Sequence, residues 1–143
     1  MAEIDALYQA LILEHNRNPR RHRILEPCTH HASGRNPVCG DQVDLYLRLD
    51  GEVVEDAAFQ GEGCAISTAS ASLMVELAPG RSVAELRALF AVFEAVLHGR
   101  CAPDEVDMEA LAPLAGVRYF PGRLGCAVLP WQTLLRALPP MDV

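Results

Sequence analysis

Phe59-Gln60-Gly61-Glu62-Gly63-Cys64-Ala65-Ile66-Ser67-Thr68-Ala69-Ser70-Ala71-Ser72 is the stretch on which the fold turns. Its first residues end a strand, its glycines make a tight exit, and from Ala65 the pattern becomes helical. Ala65 to Leu77 is rich in alanine and serine, so a neighbouring element can approach this backbone closely. Ala78-Pro79-Gly80 ends it. Cys64 therefore stands at a helix start, where partial positive charge stabilises a thiolate.

Upstream the period is two. Val43, Leu45, Leu47 and Leu49 alternate with Gln42, Asp44, Tyr46 and Arg48 as a half-buried strand. Asp50-Gly51 predicts a hairpin, with Glu52 to Gln60 as the returning strand. Val53-Val54 and Ala57-Ala58 break strict alternation, which predicts a bulge. Further back, Ile4, Leu7, Tyr8, Leu11 and Ile12 form one stripe of an amphipathic helix ended at Asn18-Pro19. Residues 16–38 hold three prolines and a glycine, and read as an irregular arm across the surface.

Downstream, Ser82-Val83-Ala84-Glu85 is a capping box that opens a second helix. One short helix is expected near 107–112. A last helix is expected from about Cys126 to Leu138, its start set by Pro130, since proline suits only a first turn. The fold class expected is α+β: a small three-stranded antiparallel sheet with an N-terminal helix and several helices packed on one face.

The chain has 143 residues, half of them hydrophobic, enough for one domain. Twelve basic residues, all arginine, face 19 acidic ones for a net charge of −7. That balance argues against nucleic acid or an anionic membrane as partner. No apolar run approaches a membrane span, and the N-terminus has no signal-peptide pattern, so a cytoplasmic location is expected.

Five cysteines, an odd number with no CxxC pair, do not describe a disulfide framework. Cys39 lies in a turn before the first predicted strand; Cys64 and Cys126 lie at helix starts. If the connecting end of the sheet faces those starts, three thiols converge, and Asp41 adds a carboxylate. Such a set suits tetrahedral zinc or the edge of an iron–sulfur cluster. Read from spacing alone, each cysteine is equally a small buried hydrophobe, and Asp41 a turn residue. Gly61-Glu62-Gly63 begins like a dinucleotide fingerprint, but the third glycine and a βαβ unit are missing.

Asn36-Pro-Val-Cys-Gly-Asp41, the Phe59–Ser72 stretch, and Cys126-Ala127 followed by Trp131 closely resemble the IscU/SufU family, which shares its fold with the N-terminal domain of NifU. Leu7-Tyr8 and His15 through Asn18-Pro19-Arg20 resemble the family's N-terminal helix and arm. The resemblance covers most of the chain. It implies a single domain over 1–143 and places Cys39, Asp41, Cys64 and Cys126 on the family's metal and cluster ligands. The residue before Cys126 is Gly125 where IscU scaffolds carry histidine, and their Leu-Pro-Pro-Val-Lys segment is absent. Residues 80–119 are similar to the extra helical stretch of SufU-like proteins.

The SufU branch implies a zinc-dependent sulfurtransferase. It accepts persulfide sulfur on Cys39 from a SufS-like cysteine desulfurase and serves a downstream iron–sulfur assembly scaffold. On this reading the desulfurase supplies a replacement ligand for Cys39, and Arg123 near Cys126 lies in a second layer around the metal. The alternatives are a scaffold on which an iron–sulfur cluster is assembled, with iron in the same site, and a non-catalytic zinc-stabilised docking module. Cys28, His30 and His31 read as structural or surface residues, and Cys101 has no assigned role. Arg17, Arg20, Arg21 and Arg23 are either a solvated arm or a docking patch.

Overall fold

Asp50 and Gly51 close the hairpin as their sequence predicts, with Gly51 at φ 63°. The computed structural model describes residues 2–37, 40–102 and 109–139, with the backbone alone at 2–8, 109, 110 and 113. Strand β2 runs Asp41–Asp50 and strand β3 Val53–Glu62. Their pairing slips between Arg48 and Leu49, leaving Glu55 as an extra residue. That bulge lies between the two pairs that broke the alternation. It is how Val54 and Ala57 are both fully buried.

The third strand, β1, is His30–Asn36, antiparallel to β2 in the order β1-β2-β3. Sequence reading put these residues in an irregular arm, and the structure corrects it. His-His-Ala-Ser-Gly-Arg-Asn carries no apolar alternation, because the position buried against the core is Gly34. A Cβ there would lie 2.0 Å from the Thr133 hydroxyl oxygen. Only a bare backbone lets a helix come so close.

The rest of the arm is also ordered. Arg23 N–H donates to the Phe59 carbonyl at 2.9 Å and Phe59 N–H to the Arg21 carbonyl at 3.1 Å, so the arm covers the outer edge of β3. Three of its arginines are tied down by the chain's own carboxylates: Arg20 bonds Glu14 at 2.9 Å and Glu76 at 3.1 Å, while Arg21 and Arg23 reach Asp56.

The helices are α1 Ala2–Arg17, α2 Ala65–Leu77, α3 Val83–Leu97 and α4 Leu124–Ala137. The capping box at Ser82 and Glu85 is formed reciprocally. A 3₁₀ segment, Glu109–Tyr119, stands where a short helix near 107–112 was expected; residues 103–108 lie outside the described residues. Helices α2 and α4 pack on each other and on the sheet, α4 over β1 and β2, α2 beside β3. Helix α1 lies against α2. There the buried His15 Nδ1 meets the Ser72 hydroxyl at 2.6 Å, and Ser72 also accepts from the Arg20 backbone N–H at 2.8 Å.

Proline 130 does not mark a helix start. Helix α4 begins at Leu124 and runs through it. Every residue from Cys126 to Trp131 is buried, so the packing of this segment outweighs the one backbone hydrogen bond that proline removes. Trp131 is fully buried and packs against Phe90 and Phe93 of α3, each ring centroid 6.1 Å from its own.

Candidate metal centre

Three of the four expected ligands are described, and they meet. Asp41 opens β2 and is fully buried; Cys64 sits at the N-cap of α2; Cys126 lies in the first turn of α4 and is fully buried. Their ligand atoms all lie within 4.8 Å of one another, the one such cluster among the described residues. Cys39 lies outside the described residues; the chain is described up to Pro37 on one side and from Gly40 on the other.

The carboxylate is held from behind. Asp41 Oδ1 accepts the Cys64 backbone N–H at 2.8 Å, and Oδ2 stands 3.8 Å from Cys64 Sγ. Oδ1 is thus engaged in orienting the group, and Oδ2 is the oxygen turned to the sulfur. Gly63 makes this possible, since a Cβ there would lie 3.0 Å from Asp41 Oδ1 and 3.3 Å from the Ser67 side chain. Cys64 Sγ in turn accepts the Ser67 backbone N–H at 3.4 Å. That N–H belongs to the first turn of α2, so the helix N-terminus is aimed at the sulfur.

Serine 70 fixes the distance between the two cysteines. It is buried in α2 and donates to the Ala127 carbonyl of α4 at 2.6 Å, clamping the helix starts together. Sequence reading missed this residue, though the alanine–serine run was the signal for close approach. Around a tetrahedral zinc with bonds of about 2.0–2.3 Å, ligand atoms stand roughly 3.3–3.8 Å apart. Two thiols and a carboxylate already within 4.8 Å reach that geometry with small side-chain movements. The donor set fits zinc, and it fits a cluster edge as well.

The residues set aside in sequence reading stay outside this centre. Cys28 is exposed. His30 Nδ1 pairs with the Thr29 hydroxyl at 2.9 Å, and His31 stacks on Tyr46 with centroids 4.9 Å apart. Cys101 is half-buried against the core. Arg123 occupies the N-cap of α4, in the turn ahead of Cys126.

Residues 7–127 match the family described as NifU-like N terminal domain. The chain belongs to that family. Among its relatives is the zinc-dependent sulfurtransferase SufU of Bacillus subtilis, 38% identical, with 93% of this chain and 90% of the relative covered. The iron–sulfur cluster assembly scaffold protein IscU of Streptococcus pyogenes is 35% identical over 96% of this chain and 86% of its own. A crystal structure of a proposed SUF-system scaffold protein from Fervidobacterium islandicum superposes with a TM-score of 0.81 at 29% identity, covering 94% of this chain and 98% of that one. The N-terminal NifU-like protein of Brucella abortus gives 0.84 at 27%, with 94% and 93% covered. Among the described residues no helix is long and apolar enough to cross a membrane.

Proposed function

We propose that this family member is a sulfur acceptor in iron–sulfur cluster assembly. It would hold zinc between Cys39, Asp41, Cys64 and Cys126 and take persulfide sulfur from a SufS-like cysteine desulfurase in the cytosol, for a downstream assembly scaffold. The observation that carries the reading is the convergence of Asp41, Cys64 and Cys126 from three distant segments. The B. subtilis SufU likeness over nearly the whole chain supports the zinc and the reaction. Gly125, where the IscU scaffolds carry histidine, supports it against that reading; a Cβ at this position would stand 3.1 Å from the Asn36 side-chain amide nitrogen, which would have to give by a few tenths of an ångström.

When bound, zinc supplies a redox-inert positive charge that favours the deprotonated thiols. The chain's residues do the rest. Cys39 is the attacking thiolate: its sulfur forms a bond to the terminal sulfur of the partner's cysteine persulfide. The sulfur–sulfur bond of that persulfide breaks, the transferred sulfur keeps its hydrogen, and the partner's cysteine leaves as a thiolate, so charge and protons balance. No electrons are gained or lost overall, so no oxidant is required. Asp41 orients Cys64 through its backbone N–H, and the Ser70 clamp keeps Cys126 in place beside it. Arg123 balances the negative charge that three thiolates and a carboxylate bring together.

Metal and sulfide analysis of anaerobically purified protein, followed by a sulfur-transfer assay with a cysteine desulfurase, tests this. One zinc per chain, no sulfide, and loss of acceptance in Cys39→Ser are expected. Iron and sulfide in matching amounts would establish the scaffold instead. Sulfur uptake by Cys39→Ser at the wild-type rate would overturn the role of Cys39.

A further inference from the structure

The chain carries more carboxylates than guanidinium groups, 19 to 12, and Arg20, Arg21 and Arg23 of the arm each pair with at least one of them. Arg35 and Arg136 do not. Among the described residues neither has a carboxylate partner, and both line the same open groove of about 540 Å³ between β1 and α4. Among the described residues the Arg35 side chain has one hydrogen bond, to the Gln42 side-chain oxygen at a long 3.4 Å. Arg136 donates through Nη2 to the Ser33 backbone carbonyl at 2.7 Å, which steadies the side chain over the strand while its other N–H groups stay available.

The rest of the groove is built to match. Leu129, Gln132 and Arg136 follow one another at helical spacing along one side of α4, giving an apolar floor, a carboxamide and a cation in line. Opposite them runs β1, the edge of the sheet. The contact at Gly34 fixes how closely the two walls stand. Arg35 and Gln42 face each other across β1 and β2, and Gln42 directly follows Asp41 along the chain, which ties the groove's lining to the strand that carries a candidate ligand.

We infer that this groove is a docking site for an extended acidic segment of a partner protein, whose carboxylates pair with Arg35 and Arg136. Guanidinium groups bind carboxylates through paired, charge-assisted hydrogen bonds. An extended chain suits a groove bounded by a sheet edge. Charge complementarity on an otherwise acidic protein also excludes partners that would bind anywhere else on its surface. The inference does not depend on which metal the neighbouring centre holds.

The probe is a fluorescein-labelled hexaglutamate peptide, titrated into the full chain as purified and followed by anisotropy and by amide chemical shifts. Shifts confined to residues 33–35, 42 and 129–136 are expected, with affinity weakening as salt rises. Arg35→Glu with Arg136→Glu should lower that affinity about tenfold or more. Since Arg136 also braces Ser33, Arg35→Glu alone, at an exposed side chain with no backbone contact, is the variant that keeps the test sound if the double variant does not fold. Hexaglutamate that shifts other residues, or binds Arg35→Glu as it binds the native chain, overturns the proposal. Inorganic phosphate displacing the peptide at equal concentration would also overturn it, by showing a small-anion site.

Discussion

Replacing Gly63 by alanine isolates what the backbone contributes to the metal centre. The new methyl would sit 3.0 Å from Asp41 Oδ1 and 3.3 Å from both Cβ and Oγ of Ser67. The carboxylate must give by a few tenths of an ångström. It is the same oxygen that accepts the Cys64 N–H at 2.8 Å, so a retreat of about 0.4 Å along that line stretches the bond to the edge of the normal range. Crowding of this kind costs about 1–3 kcal/mol. The same displacement moves Oδ2 off its place beside Cys64 Sγ, which should weaken zinc binding about 10- to 100-fold. A competition titration against a chromophoric chelator reads the affinity, and thermal unfolding of the metal-free protein reads the strain, with a fall of about 2–8 °C expected. Gly122→Ala is the control: among the described residues, its own chain neighbours aside, no atom lies within 4 Å of its Cβ position, and both readouts should stay put. Zinc affinity in Gly63→Ala equal to that of Gly122→Ala would refute the steric argument, whatever happened to the melting temperature.

Cys126→Ser should lose bound zinc, and Cys101→Ser should keep it, by elemental analysis of protein purified side by side. Trp131→Ala should destabilise by about 3–5 kcal/mol in urea unfolding, because it empties the fully buried space against Phe90 and Phe93. Burial and then the charge of Arg20 hold the His15 pKa below its ordinary 6.5, against the opposing pull of Glu76 and Glu14. The unfolded chain therefore binds the proton first. The stability this neutral histidine contributes is complete above about pH 6.5 and is lost as the pH falls from there toward the folded pKa. Melting temperatures between pH 7.5 and 5.5 should fall further in the native chain than in His15→Gln; parallel falls would show that His15 does not couple to folding.

Much of the fold was legible where local pattern and tertiary packing agree. Ala65–Leu77 and the hairpin at Asp50-Gly51 came directly from periodicity and turn chemistry, and Ser82 with Glu85 from the spacing of a cap. β1 was illegible because its buried position is a glycine, which has no side chain to register as hydrophobic. Pro130 misled because a rule about one missing N–H was set against the burial of six consecutive residues, a tertiary fact. At the site, resemblance supplied the residues that spacing alone left open. Their convergence rests on contacts such as Ser70 to Ala127 that no local pattern announces.

The three described ligands come from the start of a strand, a helix start and another helix start, far apart along the chain. A metal held there is a cross-link that closes two large loops. In an unfolded chain those loops are open, and no short segment offers more than one or two ligands. The metal can therefore be captured only after the sheet and both helices have come together, and all of its binding energy then counts toward keeping them so. A newly made chain deprived of metal would be left with a looser seam where α2, α4 and β2 meet, and cellular proteases would find that seam first.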